Sequence, residues 1–496
     1  MRGETQIFNL MSNKESKFYI TTPIYYVNDK PHIGHAYTTI VADVLARFYR
    51  EKFGNDSVFF LTGTDEHGAK VAEAAQKANL SPQEFTDQVS ARFKEAWQNL
   101  EIDYDHFIRT TDANHAKIVV EILKKMKEGG HLYEGDYEGL YCVGCERFIN
   151  ESELVDGKCP DHNRVPEKLT EKNWFFNLQK FLPKVKAAIE SDELLIYPKT
   201  RKNEVLGLID KQALPDFSIS RSQQSVPWGI DLPWDNSQKT YVWVDALSNY
   251  ITALDYPSGK NFKKFWPAQM QVLGLDILKF HAVYWPAMLM ALGLPCPKQL
   301  AIHGYFTING QKMSKSLGNT IDPNDLVKVY GSEATKYLIL SQFSFGQESD
   351  IKVDDFFVKY NADLVNGLGN LVNRVTNMVE KYLAGRIDIK KFPKNLVGQE
   401  EIANLRFKEA LAQIWQLIQK DNALIDENKP WQLGASDDEL DKAKLKKLLQ
   451  ELVVDLYNIA GSLQAFMPIK AQAIIDIVEA KKITKPSEPL FPRLNN

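Results

Sequence analysis

The sequence predicts an α/β protein: a doubly wound sheet, interrupted by a metal-binding insertion and followed by a C-terminal α-helical bundle. Three observations carry this reading. Two strand–turn–helix units open the chain, and their polar clusters fall at the carboxyl ends of the strands. Three of the four cysteines lie within 18 positions, in a region of short strands and turns. From Asn361 onward apolar residues recur at i, i+3, i+4 and i+7, the spacing of one helix face.

In order, residues 1–17 form a polar extension without an apolar core, a small-residue cleavage site or arginine enrichment, so no targeting segment is read there. Met11 is an alternative start. Residues 18–132 are the first half of the sheet domain. Residues 18–23 read as a strand ending at Pro23, Asn28 to Pro31 as a turn, and His32-Ile33-Gly34-His35 as the start of a helix with Ile40, Val41, Val44, Leu45 and Phe48 on its apolar face. Ser57–Leu61 is a strand leading to Gly63-Thr64-Asp65-Glu66-His67-Gly68, and a helix starts near Lys70. Residues 133–227 form the insertion. Residues 228–300 return to α/β texture at Thr240–Asp245, with a strand at Gln271–Leu275 and a helix at Ile277–Leu292. Residues 301–360 link to the bundle through a strand and turn at Ala301–Gln311. Residues 361–483 are the bundle, with further amphipathic segments at 401–420 and 439–464, and 484–496 is a Pro-rich tail expected to pack loosely. In doubly wound sheets, ligands bind outside the carboxyl ends of the strands.

At 496 residues the chain predicts several domains, at ~100–200 residues each. Its 44% hydrophobic and 25% charged residues are globular averages. The longest apolar run, Ala282–Pro295, is broken by Pro286 and is too short for a membrane span. A net charge of −4 argues against a protein that coats nucleic acid, but leaves room for a basic stripe on one face.

Three patterns carry chemistry. The first is His32-Ile33-Gly34-His35. A helix N-terminus attracts phosphate, a glycine admits it to the backbone, and two imidazoles three apart share a face. Alone, a pair of surface or core histidines is the simpler reading. The second is Lys312-Met313-Ser314-Lys315-Ser316 after the turn-prone Asn309-Gly310, where lysines and hydroxyls suit a pyrophosphate leaving group. Alone, it reads as a solvated basic loop. The third is Cys142-x2-Cys145-x13-Cys159-x2-His162, whose three thiolates and one imidazole suit one closed, structural, tetrahedral Zn²⁺ site. Reduced free cysteines are the alternative. Cys296 is left over and reads as a small apolar packing residue.

The first two patterns together, in this order and on these elements, resemble the paired signatures of the class I aminoacyl-tRNA synthetases. Thr22-Pro23-Ile24-Tyr25-Tyr26-Val27-Asn28, Thr64 to Gly68, Tyr241-Val242-Trp243-Val244-Asp245-Ala246, and Phe280-His281 with Trp285-Pro286-Ala287 resemble the methionyl-tRNA synthetases in particular, over about residues 18 to 470. The leucine, isoleucine and valine enzymes carry a large editing domain, for which little room remains between His35 and Lys312.

The resemblance implies a split Rossmann-like catalytic domain with a zinc-knuckle insertion. It implies activation of L-methionine by ATP with Mg²⁺, then transfer to tRNA(Met), initiator included. His32, His35, Lys312 and Lys315 would meet charge growing on the phosphates. Tyr26, Trp243, Tyr250, Phe280 and Trp285 would form an aromatic box around the thioether, which aromatic contacts favour by ~0.3–1.5 kcal/mol each. Ile24, Ala246 and Leu247 would complete the wall, Asp65 would pair with the ammonium, and Tyr26 and His281 would offer polar groups near the sulfur. Gly34, Gly274, Asp276, His303, Gly304, Met313, Ser314 and Ser316 would join the ATP site, with Asp276 on the ribose or capping a helix, and His303 and Gly304 beside the adenine. Asn370, Arg374, Pro430 and Trp431 correspond to anticodon-reading positions, while Trp415 reads as core. Homocysteine would be rejected by cyclisation in the synthetic site itself.

Two other classes are weighed. A nucleotidylyltransferase shares the histidine–glycine–histidine pattern but is usually much shorter and lacks the bundle and knuckle. A non-catalytic tRNA-binding protein is disfavoured by the intact histidines and lysines. A cytoplasmic monomer is expected.

Overall fold

The computed structural model describes residues 17–28, 30–144, 147–149, 151, 154–160, 162–211, 214–313 and 319–495. Its centre is a parallel sheet of six strands: β1 (Phe18–Tyr26), β2 (Val58–Asp65), β3 (His106–Arg109), β4 (Leu195–Tyr197), β5 (Met270–Gly274) and β6 (Gln299–His303). Their spatial order is β3-β2-β1-β5-β6-β4. The chain runs outward from β1 through β2 to β3 on one side and from β5 to β6 on the other, so the β1/β5 seam is the topological switch point where such sheets bind ligands.

The strands are apolar because both faces are covered. In β1, Phe18, Tyr19 and Ile20 are wholly buried. This strand does not end at Pro23. Pairing with β2 shifts register between Thr21 and Ile24 and then resumes to Tyr26, with proline, which has no N–H to donate, inside the irregularity. One face is covered by helix α1 (Ile33–Phe53), whose Ile40, Val41, Val44 and Leu45 are fully buried. The other face carries α2 (Ala113–Glu128) and α3 (Val242–Thr252).

The insertion has its own antiparallel sheet, ordered Arg147–Ile149, Leu132–Cys142, Glu167–Phe176 and Phe217–Ser218. It is not continuous over 133–227. Between its strands the chain returns to the main sheet as edge strand β4, which pairs with β6. The helix expected at Ile277–Leu292 is broken into a 3₁₀ turn (Leu275–Ile277), a π segment (Phe280–Tyr284) and a short α-helix (Trp285–Ala291). Pro286 cannot donate the i→i−4 bond of a straight helix, and a π turn accommodates that gap.

After β6, the strands Phe306–Ile308 and Gln311–Lys312 form a hairpin. Asn309 and Gly310, at its tip, take φ of 51° and 75°, as a two-residue turn of primed type requires. The bundle comprises α4 (Asn370–Leu383), α5 (Phe407–Asn428), α6 (Glu439–Leu463) and α7 (Pro468–Val478). The tail differs from expectation by packing firmly. Phe491 is 3% exposed in the bundle core, Tyr360 Oη donates to the Pro492 carbonyl at 2.9 Å, and the Lys485 N–H donates to Glu380.

Candidate active site

A cavity of about 540 Å³ opens at the β1/β5 seam. From β1 and the turn after it come Ile24, Tyr26, His32, Gly34 and His35; from the end of β2, Asp65; from α3, Trp243, Ala246, Leu247 and Tyr250. The ends of β5 and β6 add Gly274, Asp276, His281, His303 and Gly304, and Met313 borders it from the following hairpin. The loop expectations lie partly outside the described residues: Ser314, Lys315 and Ser316 entirely, and Lys312 in its side chain.

His32 and His35 build the N-terminus of α1. His32 Nδ1 accepts from the Gly34 N–H at 3.1 Å, and His35 Nδ1 accepts from the His32 N–H at 3.3 Å. The rings stack at 3.7 Å. This is a reciprocal capping box built from imidazoles instead of Ser and Glu. Since both Nδ1 atoms accept, each ring carries its proton on Nε2, as a donor for an anion. Gly34 is fixed by space: a Cβ there would lie 3.0 Å from the His32 ring and 3.4 Å from Met313 Cε.

Of the run after β2, Asp65 borders the cavity. Its neighbours turn into buried networks. Glu66 takes a bidentate pair from Arg109 at 2.7 and 2.8 Å and hydroxyl donors from Thr64 and Thr111. His67 Nδ1 meets Asp245 at 2.7 Å, and the other Asp245 oxygen meets His115 Nε2 at 2.7 Å. Burial alone would raise the Asp245 pKa, but the charges and hydrogen bonds of His67 and His115 hold it at about 2. This network, absent from the sequence reading, ties α3 to β2 and α2. No local pattern joins residues 67, 115 and 245.

At the apolar end, Tyr250 Oη donates to His281 Nε2 at 2.7 Å, while His281 Nδ1–H donates to the Ile277 carbonyl at 3.0 Å. Burial lowers the His281 pKa to about 4, so the ring is neutral and its tautomer fixed. Two expected members of the aromatic box do not line the cavity. Phe280 stacks behind Trp243 at 3.7 Å with planes 7° apart, and Trp285, wholly buried, supports Tyr250 at 5.8 Å. They form the backing of the wall because the π segment turns them into the core.

At the opposite end, His303 Nδ1–H donates to the Gly304 carbonyl at 3.0 Å and Nε2 contacts Thr38 Oγ1 at 2.7 Å. Burial lowers its pKa to about 4. Thr38 also borders the cavity, and its signal was its place one turn after Gly34 on the same helix face. Asp276 lies inside the 3₁₀ turn, whose N-cap is Gly274, so it is not a capping residue.

The Cys/His cluster meets the same cavity. The ligand atoms of Cys142, Cys159 and His162 all lie within 4.8 Å of one another; Cys145 is outside the described residues. The two thiols are buried, and no disulfide occurs among the described residues, so the donor set fits a thiophilic divalent metal. Gly144 and His162 border the cavity, and Lys70 Nζ donates to the Gly144 carbonyl. Cys296 is buried and its thiol pushed up to about 12 by burial, in keeping with packing.

In the bundle, Asn370 and Arg374 border a second cavity of about 370 Å³ between α4 and α5. Arg374 is held there by Asn422 and Asp426. Pro430 is buried and Trp431, 48% exposed, follows the left-handed turn at Lys429 that ends α5. They lie outside that cavity, a turn beyond the Asp426 that holds Arg374. Trp415 is core, stacked on Tyr337 at 4.3 Å. No helix among the described residues is long and apolar enough to cross a membrane.

The family model described as tRNA synthetases class I (M) matches residues 18–165 and 162–376. The methionine–tRNA ligase of Caldanaerobacter subterraneus is 45% identical over 91% of this chain and 72% of its own. That of Clostridium acetobutylicum is 43% identical over 98% of this chain and 79% of its own. A solved structure of Mycobacterium tuberculosis methionyl-tRNA synthetase in complex with methionyl-adenylate superposes with a TM-score of 0.88. It is 34% identical, with 96% of this chain and 100% of that one covered.

Proposed function

The chain belongs to the class I tRNA synthetases, in their methionyl branch, and from that premise we propose how its own residues carry the reaction. It is a methionine–tRNA ligase. A methionine carboxylate oxygen attacks the α-phosphorus of ATP, the bond to the β-phosphate oxygen breaks, and pyrophosphate leaves. A hydroxyl of the terminal tRNA ribose then attacks the adenylate carbonyl, forming the ester and releasing AMP.

The observation that carries the reading is one cavity with two chemically distinct ends. The aromatic and aliphatic end, made by Tyr26, Trp243, Ala246, Leu247 and Tyr250, suits a flexible thioether. Ile24 completes it, and Phe280 and Trp285 act from behind. Asp65 would take the ammonium. The Tyr250–His281 pair fixes a donor and acceptor pattern beside the sulfur. The other end offers two Nε2–H donors at a helix N-terminus, where charge develops on phosphate. Gly274 and Asp276 would meet the ribose, and His303 and Gly304 the adenine. Lys312, Met313, Ser314, Lys315 and Ser316 would meet the leaving pyrophosphate. No side chain is asked to act as a nucleophile, so catalysis is positioning and charge stabilisation.

Cys142, Cys145, Cys159 and His162 would hold one Zn²⁺, whose part is to brace the knuckle that walls the site. Mg²⁺ would accompany ATP and offset phosphate charge. Asn370, Arg374, Pro430 and Trp431 would read the anticodon of tRNA(Met), initiator included. A cytoplasmic place of work fits these substrates.

The test is ATP–pyrophosphate exchange with methionine, leucine, isoleucine and cysteine in parallel. Exchange with methionine alone is expected. Exchange with leucine or isoleucine of equal efficiency would overturn the assignment of the apolar end.

A further inference from the structure

A concavity roomier than the candidate active site lies elsewhere in the chain. A groove of about 1410 Å³ lies in the bundle, between the loop after α4, the middle of α6 and the end of α7. Its walls carry Arg386, Lys390, Lys391, Lys394, Lys446 and Lys481 against only Asp388 and Glu479, a local charge of +4 in a chain whose net charge is −4. Among the described residues, none of these six cations has a carboxylate partner within 4.0 Å. Elsewhere in the bundle basic side chains pair readily, as Arg374 does with Asp426 and Lys420 with Asp455. Six unneutralised cations facing one concavity raise its potential and attract a polyanion.

The groove is also held in shape. The Asn395 N–H donates to Asn458 Oδ1 at 2.7 Å, the Val397 N–H to Ser462 Oγ at 3.0 Å, and the Ile483 N–H to the Gly385 carbonyl at 2.9 Å. Phe392 stacks on Tyr457 at 4.5 Å and stiffens the wall. An adjoining recess shares Lys394 and Tyr457, but its arginines are spent: Arg50 pairs with Asp103 and Asp105, and Arg47 with Asp43. The recess therefore adds no unpaired arginine to the groove.

We propose that this groove is a backbone-binding site for tRNA, contacting a short run of stem phosphates and separate from the residues that would read the anticodon. It rests on the tRNA-ligase reading above. Arg374 lies one turn into α4 and Arg386 three residues beyond its end at Leu383, so about 13 Å of helix, at 1.5 Å per residue, leads from one site towards the other. Base-reading groups specify and phosphate-binding groups set the register, and the bundle would supply both.

The experiment is equilibrium binding of a tRNA(Met) transcript across a salt series, with the wild-type chain and with Lys390→Glu/Lys391→Glu/Lys394→Glu. All three side chains are exposed and form no ion pair, so the melting temperature and methionine-dependent pyrophosphate exchange should be unchanged. Binding at 0.1 M salt should weaken by at least about tenfold, and the slope of log K against log salt should fall by up to about 2.7, at ~0.9 per lost phosphate contact. A second variant, Lys446→Gln/Lys481→Gln, probes the opposite wall and should shift both quantities the same way. Unchanged affinity and slope in both variants, with wild type binding normally, would overturn the groove proposal and favour an acidic protein as its occupant. Failure of the wild type itself to bind tRNA would instead overturn the ligase reading, and the groove proposal with it.

Discussion

His32 and His35 owe their orientation to the backbone of the helix they start. Each Nδ1 lone pair is engaged by an N–H, so each Nε2–H is committed to donation before any nucleotide arrives. Preorganised donors of this kind are worth ~2.7–4 kcal/mol each in the transition state. His35→Ala is therefore expected to lower kcat of pyrophosphate exchange by roughly 10²–10³-fold with little change in the methionine KM, read from steady-state kinetics. His281 and His303 behave differently, because both are buried and neutral. In an unfolded chain a histidine takes its proton near pH ~6.5, whereas these two do so at about 4. Between those values the unfolded state binds more protons, so stability falls as pH falls, by about 3 kcal/mol per histidine across the window. Melting temperatures from pH 7 to pH 5 should drop more steeply for wild type than for His281→Gln. Parallel slopes would remove His281 as a contributor.

At the scale of elements, the π segment and the knuckle do most to shape the catalytic cavity. The π turn sends Phe280 and Trp285 into the core behind Trp243 and Tyr250, so the wall facing substrate is rigidly backed. The knuckle starts where the long strand Leu132–Cys142 ends, which brings Gly144 and His162 to the cavity rim. Loss of one ligand should loosen a wall of the active site as well as release metal, since such small metal sites couple binding to folding. Cys159→Ser should lower the metal content well below the one equivalent of zinc expected for wild type. Backbone hydrogen exchange around residues 132–176 should rise with it, and pyrophosphate exchange should fall. Full metal content in that variant would count against Cys159 as a ligand.

At the scale of the whole molecule, the proposed function puts amino-acid activation and tRNA reading in different regions of one chain. The sheet domain and bundle share a continuous apolar core running from α1 to α7, and the tail adds Phe491 to it. Trp431 stands on the bundle surface, away from the catalytic cavity. Trp431→Ala is expected to cost about 1–3 kcal/mol of base stacking, lowering aminoacylation of tRNA(Met) by roughly 5–150-fold while methionine-dependent pyrophosphate exchange stays at the wild-type level. A parallel fall in exchange would show a structural role instead.

The sequence by itself determined what depends on short-range spacing. The helix start at His32–His35, the turn at Asn309-Gly310 and the apolar period of α4 are each written within a few residues, and each element stands where its pattern lies, as do Cys142, Cys159 and His162 of the Cys/His pattern. Tertiary structure decided what depends on partners far apart in the chain. The return of β4 to the sheet edge, the backing role of Phe280 and Trp285, the His67–Asp245–His115 network, the packed tail and the basic groove all bring together segments separated by tens to hundreds of residues. Periodicity tells which face of an element is buried, but not which neighbour covers it. That choice is made by the packing of the whole chain, and it turned aromatics expected at the substrate into supports behind it.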